Sequence, residues 1–355
     1  MGTINNFGNI LLPANSNTIN VQTLLTSVEE ANAIPMDLLQ QKQNALQTQS
    51  STLTSIEGDI DALGTAVSAL SNTSGSINSL TATSSDSNLV TATADPTAIP
   101  SSHTIVVNSL ATTASYYTDP VDPSTALGAG SLQIAVGSNA PVTVTVDNTD
   151  NTLSGLAAAI NKQSVGVTAS VINDANGSRL ALVSNTSGST GNITISNNTT
   201  SLNFHSAVTG ANASLTVDGV PISSASNTVS TVIPGVTLSL VGANSGVTVG
   251  LTLSPDANQA TGAINQFVSS WNKVIQDLNG QFDVSSNGTG GGPLEADNTL
   301  RSVQDQLLSA ITASVAGNNG FVNLATIGVN MNQDGTLSVD SGVLSNALNN
   351  NFSSV

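Results

Sequence analysis

Residues 53–70 read LTSIEGDIDALGTAVSAL, and their apolar side chains recur at alternating intervals of three and four residues. This spacing places the side chains along one side of an α-helix, and it is typical of a helix that packs lengthwise against another helix. We call the six residues that form the pattern the seam. They are Leu53, Ile56, Ile60, Leu63, Val67 and Leu70.

The seam continues towards the N-terminus at Leu39 and Leu46, although Lys42 and Gln49 occupy two of its positions. A helix with this pattern can pack inside its own domain, or it can form a coiled coil with another molecule. The spacing fits both arrangements. The seam is therefore a candidate packing surface and equally a candidate oligomer interface.

Helical spacing is found at both ends of the chain. Apolar residues recur helically from Val21, Pro35 is expected to interrupt that helix, and a second helix is predicted from about Met36 to Leu70. Residues 1–20 are polar and lack any period, which predicts disorder. Near the C-terminus the helical spacing returns in three stretches, at 264–278, 300–311 and 343–348.

The residues between these helical ends alternate between apolar and polar side chains, which is the two-residue period of β-strands. Thr152 is predicted to cap one short helix that interrupts the region. Strands are predicted at 88–94, 103–110, 131–136, 142–146, 167–172, 179–183, 214–220, 236–241 and 247–253, and a small hairpin at 327–339. The sequence therefore predicts a multidomain α+β fold with a helical, coiled-coil-like domain built from both chain ends.

The composition excludes several classes of partner. The 355 residues include 5 Lys and Arg against 22 Asp and Glu, for a formal charge of -17. Binding to nucleic acid or to an anionic membrane surface requires clustered basic residues, so neither is expected. No apolar run is long enough for a transmembrane helix, and the N-terminus lacks the features of a Sec signal. With no Cys, a disulfide scaffold and thiol chemistry are also excluded.

Few residues offer reactive chemistry. His103 and His205 lie far apart, and neither is predicted to have a carboxylate pair or a serine elbow beside it, so packing or surface roles are expected. Asp150 and Asp174 lie in segments that lack the spacing of a calcium loop, which favours turn chemistry. The Gly-rich residues 287–292 contain no phosphate-binding Lys and are expected to form a flexible loop. The sequence predicts no enzyme, no cofactor and no metal site.

Several motifs occur together in an order that is specific. In the C-terminal part they are GPLEADNTLR at 292–301, LATIGV at 324–329 and DGTL at 334–337, and in the middle they are TVDGV at 216–220, SNTV at 226–229 and GVTL at 235–238. The segment INQFV at 264–268, which leads into Trp271, also fits. In these motifs, and over nearly its whole length, the chain resembles the flagellar filament cap family, also called hook-associated protein 2.

The resemblance implies a domain organisation. Residues 1–36 are a disordered or N-terminal leg segment, and residues 37–85 with 257–355 form the helical domain. Residues 86–118 with 207–256 form an outer β-rich domain, and residues 119–206 form an inner β-rich domain inserted into it. The family continues beyond this region with a further long helix, which is expected to be missing from this chain.

The resemblance also implies a function, which is expected to be structural and without bond chemistry. Several copies would form a ring at the tip of the bacterial flagellar filament, retain exported flagellin, and promote its folding and insertion. The implied partners are other copies of the chain, flagellin, the hook–filament junction protein and a flagellar export chaperone. The implied location is extracellular, after export by the flagellar type III system. The alternatives are a surface adhesin that binds mucin or glycan, and a subunit of the hook–filament junction.

Overall fold

The computed structural model describes residues 21–72, 74–122, 125–147, 151–283 and 290–355. The predicted disorder of residues 1–20 and the first half of the predicted loop at 287–292, residues 287–289, lie outside the described residues. The helices of the described residues are α1 (Val21–Ser71), α2 (Leu153–Lys162), α3 (Ala257–Phe282), α4 (Asn298–Ile311) and α5 (Ser341–Asn351). None of these helices is long and apolar enough to cross a membrane.

The predicted interruption at Pro35 is wrong, because α1 runs without a break from Val21 to Ser71 and contains Pro35. A proline inside a helix removes the hydrogen bond to the carbonyl four residues earlier, which here belongs to Ala31. Both Ala31 and its neighbours are exposed, so water can hydrate this carbonyl. The loss is therefore smaller than at a buried position, and the helix continues.

The strands follow the predicted alternation in most places. In chain order they are β1 (Leu80–Ser84), β2 (Val90–Ala94), β3 (Ser101–Ser109), β4 (Thr113–Thr118), β5 (Gly130–Val136), β6 (Val142–Val146), β7 (Val167–Asp174), β8 (Gly177–Ser187), β9 (Ile193–Ser196), β10 (Phe204–Val208), β11 (Ala213–Val217), β12 (Val220–Ser224), β13 (Thr228–Ile233), β14 (Val236–Leu240), β15 (Val249–Pro255), β16 (Val329–Met331) and β17 (Leu337–Val339). The strands β1, β4, β9, β10, β12 and β13 were not predicted. The predicted hairpins β5–β6 and β16–β17 are confirmed by their antiparallel pairing.

The chain divides into two compact units, one of Met1–Leu70 with Thr261–Val355 and one of Ser71–Ala260. The first unit contains the helical ends and the small hairpin β16–β17. Its buried core includes residues of α3, among them Trp271, Val274, Ile275 and Leu278. The N-terminal ends of α4 and α5 are capped by Asp297 and Asp340, whose side chains accept hydrogen bonds from backbone N–H groups of the first helical turn.

The second unit contains two hydrophobic cores. The outer core lies between a five-stranded sheet of order β1-β15-β3-β11-β12 and a three-stranded sheet of order β13-β14-β2. Its largest fully buried side chains are Ile105, Leu215, Leu238 and Leu251. Sheets of this kind bury alternate side chains, which is the period seen in the sequence.

The inner core lies between a four-stranded sheet of order β10-β4-β8-β7, a three-stranded sheet of order β6-β5-β9, and helix α2. The predicted cap of α2 is confirmed, since the Thr152 side chain accepts a hydrogen bond from the backbone N–H of Gly155. Leu156 and Ile160 place the apolar face of α2 in this core.

The predicted α+β fold with helices at both ends is confirmed by these elements. The predicted domain limits stay a prediction. Strand β4 lies before the predicted limit at 119, yet it pairs with β8 and β10 in the inner sheet. Strand β1 lies within 37–85, yet it pairs with β15 of the outer sheet.

Candidate functional site

The six seam residues all lie on α1, but they differ in exposure. Ile56 and Leu63 are buried, at 2% and 6% relative exposure. Leu53, Ile60 and Val67 remain between 38% and 44% exposed. Because a helix turns through about 100° per residue, positions seven apart lie almost above one another. The seam therefore consists of two adjacent rows, one buried and one exposed.

The exposed row extends further along α1. Leu39 and Leu46 continue the seven-residue spacing, and they are also exposed, Leu39 by as much as 68%. We call this row the exposed stripe, and its members are Leu39, Leu46, Leu53, Ile60 and Val67. It spans roughly 42 Å of helix at 1.5 Å per residue. An apolar row of this length on a helix surface is a candidate interaction surface.

The buried row, which we call the buried face of α1, consists of Ile56 and Leu63, and Leu70 continues its seven-residue spacing as a half-buried residue. It lies on the side of α1 that approaches α3, where Asp59 Oδ2 is 3.5 Å from Lys273 Nζ. At Gln49 the pattern is polar for a structural reason, since its side-chain Nε2 donates a hydrogen bond of 2.9 Å to the backbone carbonyl of Pro293.

A charged cluster joins α1 to α3. Lys273 Nζ lies 2.6 Å from Asp277 Oδ2, and Asp59 Oδ2 is buried without a hydrogen-bond partner among the described residues. The neighbouring carboxyl of Asp277 raises the pKa of Asp59, and burial raises it further. Burial alone raises the pKa of Asp277 too, but its contacts with Asp59 and Lys273 bring that pKa below its usual value.

The sequence motifs hold the first unit together through side-chain contacts to backbone. Trp271 Nε1 donates to the carbonyl of Gly335 at 2.9 Å. Asn272 accepts from the Leu337 N–H at 2.6 Å and donates to the Leu337 carbonyl at 2.8 Å. These contacts fix the hairpin β16–β17 on α3. The motif residues are therefore structural in the first unit.

One motif residue of the middle region has a similar role. Asn227 accepts a hydrogen bond of 2.7 Å from the Ala111 N–H and donates one of 3.0 Å to the Ala111 carbonyl. It thereby ties the start of β13 to the segment that follows β3. An amide side chain is suited to this place because it offers both a donor and an acceptor.

Each histidine has a carboxylate partner that the sequence analysis missed. His103 Nδ1 lies 2.7 Å from Asp218 Oδ2, and His205 Nε2 lies 2.9 Å from Asp119 Oδ1. Hydrogen bonds from Asn203 and then from His205 hold the pKa of Asp119 below its usual value. The partners are 115 and 86 residues away along the chain, so no local spacing could have revealed them.

A serine also lies beside one of the histidines, although not in a serine elbow. Ser101 Oγ lies 3.0 Å from His103 Nε2, but it is also 2.9 Å from the carbonyl of Ile99, to which it can donate. A hydroxyl has one hydrogen, so this serine cannot donate to both acceptors at once. The arrangement ties the start of β3 to the turn at Asp218 and gives no sign of an oriented nucleophile.

The remaining candidates behave as turns. Asp174 accepts a hydrogen bond of 2.6 Å from the Asn176 N–H and pairs with Arg179 Nε at 3.2 Å, which confirms the predicted turn chemistry. Asp150 lies outside the described residues. Within the described ranges no group of three or more potential metal-ligating side chains is found.

Comparison with known proteins identifies the family. The model of the flagellar hook-associated protein 2 N-terminus matches residues 17–114, and that of its C-terminus matches residues 210–355. The flagellin hook IN motif matches residues 131–186, within the region of the inner core.

Relatives cover most of the chain. The B-type flagellar hook-associated protein 2 of Pseudomonas aeruginosa is 32% identical over 88% of this chain and 74% of its own length. The flagellar hook-associated protein 2 of Escherichia coli K12 is 28% identical over 95% of this chain and 77% of its own length. The crystal structure of the D1-D2-D3 domains of the flagellar cap protein FliD from Escherichia coli has a TM-score of 0.67 and 30% identity, covering 86% of this chain and 88% of that chain. This chain therefore belongs to the flagellar hook-associated protein 2 family.

Proposed function

We propose that this chain caps the distal end of the bacterial flagellar filament, where it retains exported flagellin and promotes its folding and insertion. The observation that carries the proposal is the similarity to the flagellar cap protein of Escherichia coli, which extends over 86% of the chain. The role is steric and needs no bond chemistry. The protein then acts outside the cell at the filament tip, after export by the flagellar type III system.

The cap is a ring of several copies, and the exposed stripe of α1 is the surface through which copies associate. The stripe supports this role because its five apolar side chains remain accessible in the single chain, in contrast to the buried face. Burial of apolar surface contributes about 25 cal/mol per Å². Contacts along roughly 42 Å of helix therefore supply a substantial driving force without any charged pair.

The further partners are flagellin, the hook–filament junction protein and an export chaperone. The described surface is poor in charge, with 8% charged residues in the whole sequence, which suits repeated weak contacts with subunits that pass through the cap. Strong electrostatic attraction would slow the release of each flagellin molecule.

Complementation of cap-deficient cells tests the proposal. Cells that express this chain are expected to regain filaments and to release little monomeric flagellin into the medium. A variant with Leu53→Gln and Ile60→Gln on the exposed stripe is expected to be exported but to leave flagellin leaking. Continued leakage with the unaltered chain, under conditions where the chain is exported intact, contradicts the capping function.

A further inference from the structure

A half-open pocket lies at one end of the outer core, between the edges of its two sheets. Its volume is about 510 Å³, which is within the usual range for ligand pockets of roughly 300–1,000 Å³. One wall consists of Val217, Val220 and Ile222 from β11 and β12, and the facing wall of Val232, Ile233 and Pro234 from β13 and the turn after it. The walls are therefore mainly apolar, with the polar Thr231 of β13 among the lining residues.

His103 and Asp218 also line the pocket, and we call this part of its lining the rim. Asp218 forms the β11–β12 turn together with Gly219, and both have positive φ angles, of 51° and 82°. Such a turn is typical of a two-residue β-hairpin, and asparagine and aspartate tolerate the conformation better than other side chains. The turn directs the Asp218 carboxylate back towards β3.

The charge of Asp218 is maintained at the rim. Its Oδ1 accepts hydrogen bonds from the Thr104 N–H at 2.8 Å and the Thr104 hydroxyl at 3.2 Å, and its Oδ2 accepts from His103 Nδ1. The hydrogen bond from His103 and then those from Thr104 hold the pKa of Asp218 below its usual value. The side chain is still 50% exposed, and a carboxylate oxygen can accept more than one hydrogen bond.

The two sheet edges are poorly suited to pairing with an added strand. Pro221 on β12 lacks a backbone N–H, and β13 departs from its register with β14 between Val229 and Ile233. Proline and bulges at an edge both disfavour strand addition. A ligand is therefore expected to enter the pocket with a side chain and not to extend the sheet with its backbone.

We propose that this pocket is a binding site for an arginine side chain presented by a partner polypeptide. The aliphatic stem of arginine suits the apolar walls, and its guanidinium complements the Asp218 carboxylate at the rim. Arginine suits the site better than lysine because its guanidinium is planar, more weakly hydrated and able to donate several hydrogen bonds. The chain carries a formal charge of -17, which also favours a basic partner.

The proposal goes beyond the capping function and does not depend on it, because binding can be measured on the isolated chain. The sequence contains 2 His, so selective labelling of histidine gives two sets of imidazole NMR signals. His103 reports on the pocket. His205, which pairs with Asp119, is the internal reference.

The full chain is titrated with N-acetyl-arginine amide, with N-acetyl-citrulline amide as the neutral analogue of the same shape. The His103 signals are expected to shift saturably in the millimolar range with the arginine compound, while the His205 signals stay in place. Asp218→Asn is expected to weaken the binding at least tenfold. Asparagine accepts the positive φ and can still accept a hydrogen bond from the Thr104 N–H, so the turn is retained. Asp119→Asn, at the other histidine, is expected to leave the binding unchanged.

Three results would overturn the assignment. They are the absence of a saturable His103 shift, an equal shift with the citrulline compound, and an affinity that Asp218→Asn leaves unchanged. Binding of N-acetyl-lysine amide as tight as that of the arginine compound would overturn the preference for a guanidinium.

Discussion

The buried face and the exposed stripe of α1 have the same kind of sequence but different surroundings. Both rows repeat every seven residues and consist mainly of Leu, Ile and Val. Ile56 and Leu63 are buried within the first unit, whereas Ile60 and Val67 on the neighbouring row are exposed. A heptad pattern thus predicts that a helix has packing surfaces, but it does not predict which surface is filled by the helix's own domain.

The largest expected effect is on the buried face. Leu63→Ala is expected to lower the free energy of unfolding of the first unit by about 2–5 kcal/mol, because it removes buried methyl groups and leaves a cavity. Ile60→Ala on the exposed stripe is expected to cost less than about 1.5 kcal/mol. Trp271, the only tryptophan, is buried in this unit, so its fluorescence during denaturant unfolding measures both variants. Equal losses of unfolding free energy would mean that the two rows do not differ in how they pack within the first unit.

The second-largest effect is expected on the association of one chain with another through the exposed stripe. Leu53→Gln with Ile60→Gln is expected to weaken self-association at least tenfold, or about 1.4 kcal/mol, because apolar contact between chains is lost. Sedimentation velocity over a range of concentrations measures this change. The matched control is Thr54→Gln with Thr65→Gln, which alters exposed positions on another side of α1. If the control weakens association as much as the stripe variant, the stripe is not the interface.

A smaller effect is expected from the carboxylates that join α1 to α3. The pKa of Asp59 is raised in the folded chain, so its carboxyl stabilises the fold at low pH and this contribution is lost as the pH rises through the folded pKa. Asp59→Asn is therefore expected to stabilise the first unit at pH 7, by about 0.5 kcal/mol. This gain in stability is expected to disappear when the pH falls below 3.8, the ordinary pKa of an aspartate side chain.

Asp277→Asn is expected to act in the opposite direction. The pKa of Asp277 is lowered in the folded chain, so its contribution to stability is present at neutral pH and is lost as the pH falls through the folded pKa. Unfolding curves of both variants between pH 3 and pH 7 measure the two trends. If both variants shift stability in the same direction at pH 7, the opposite pKa shifts assigned to the two carboxyls are wrong.

The smallest effect is expected at Gln49, where the seam is polar. Gln49→Leu removes the hydrogen bond to the Pro293 carbonyl, and the expected loss is about 0.5–1.5 kcal/mol or less, because water can reach the exposed site and replace the donor. Denaturant unfolding measures the change. Gln40→Leu is a suitable control, since its side chain contacts Asn44 within α1 and not another element. A gain in stability would mean that the buried face extends to position 49.

Much of the fold follows from the sequence because its signals are local. The helical ends, the Thr152 cap and the hairpin β16–β17 were predicted from spacing and turn chemistry, and the structure confirms them. Strands β4 and β10 were not predicted because their alternation is weak. They are stabilised by pairing with β8 and with each other, which single-sequence patterns do not show.

The candidate sites were harder to predict because their parts are distant in sequence. The contact of His103 with Asp218 depends on the pairing of β3 with β11, which sets the turn beside the start of β3. The contact of Asp59 with Lys273 depends on the packing of α1 along α3. The continuity of α1 through Pro35 depends on hydration of the exposed Ala31 carbonyl, and proline in the sequence gives no indication of that.

Site-directed crosslinking at the exposed stripe tests the central claim most directly. Because the chain contains no cysteine, a single introduced cysteine can carry a benzophenone group without background labelling. The label is placed at Ile60→Cys on the stripe, or at Thr65→Cys, which is exposed and lies about 140° around the helix. Irradiation of the assembled protein is expected to give chain-to-chain adducts from position 60 and few from position 65. Adducts in equal yield from both positions, or adducts from position 65 alone, would contradict the assignment of the stripe as the surface through which copies associate.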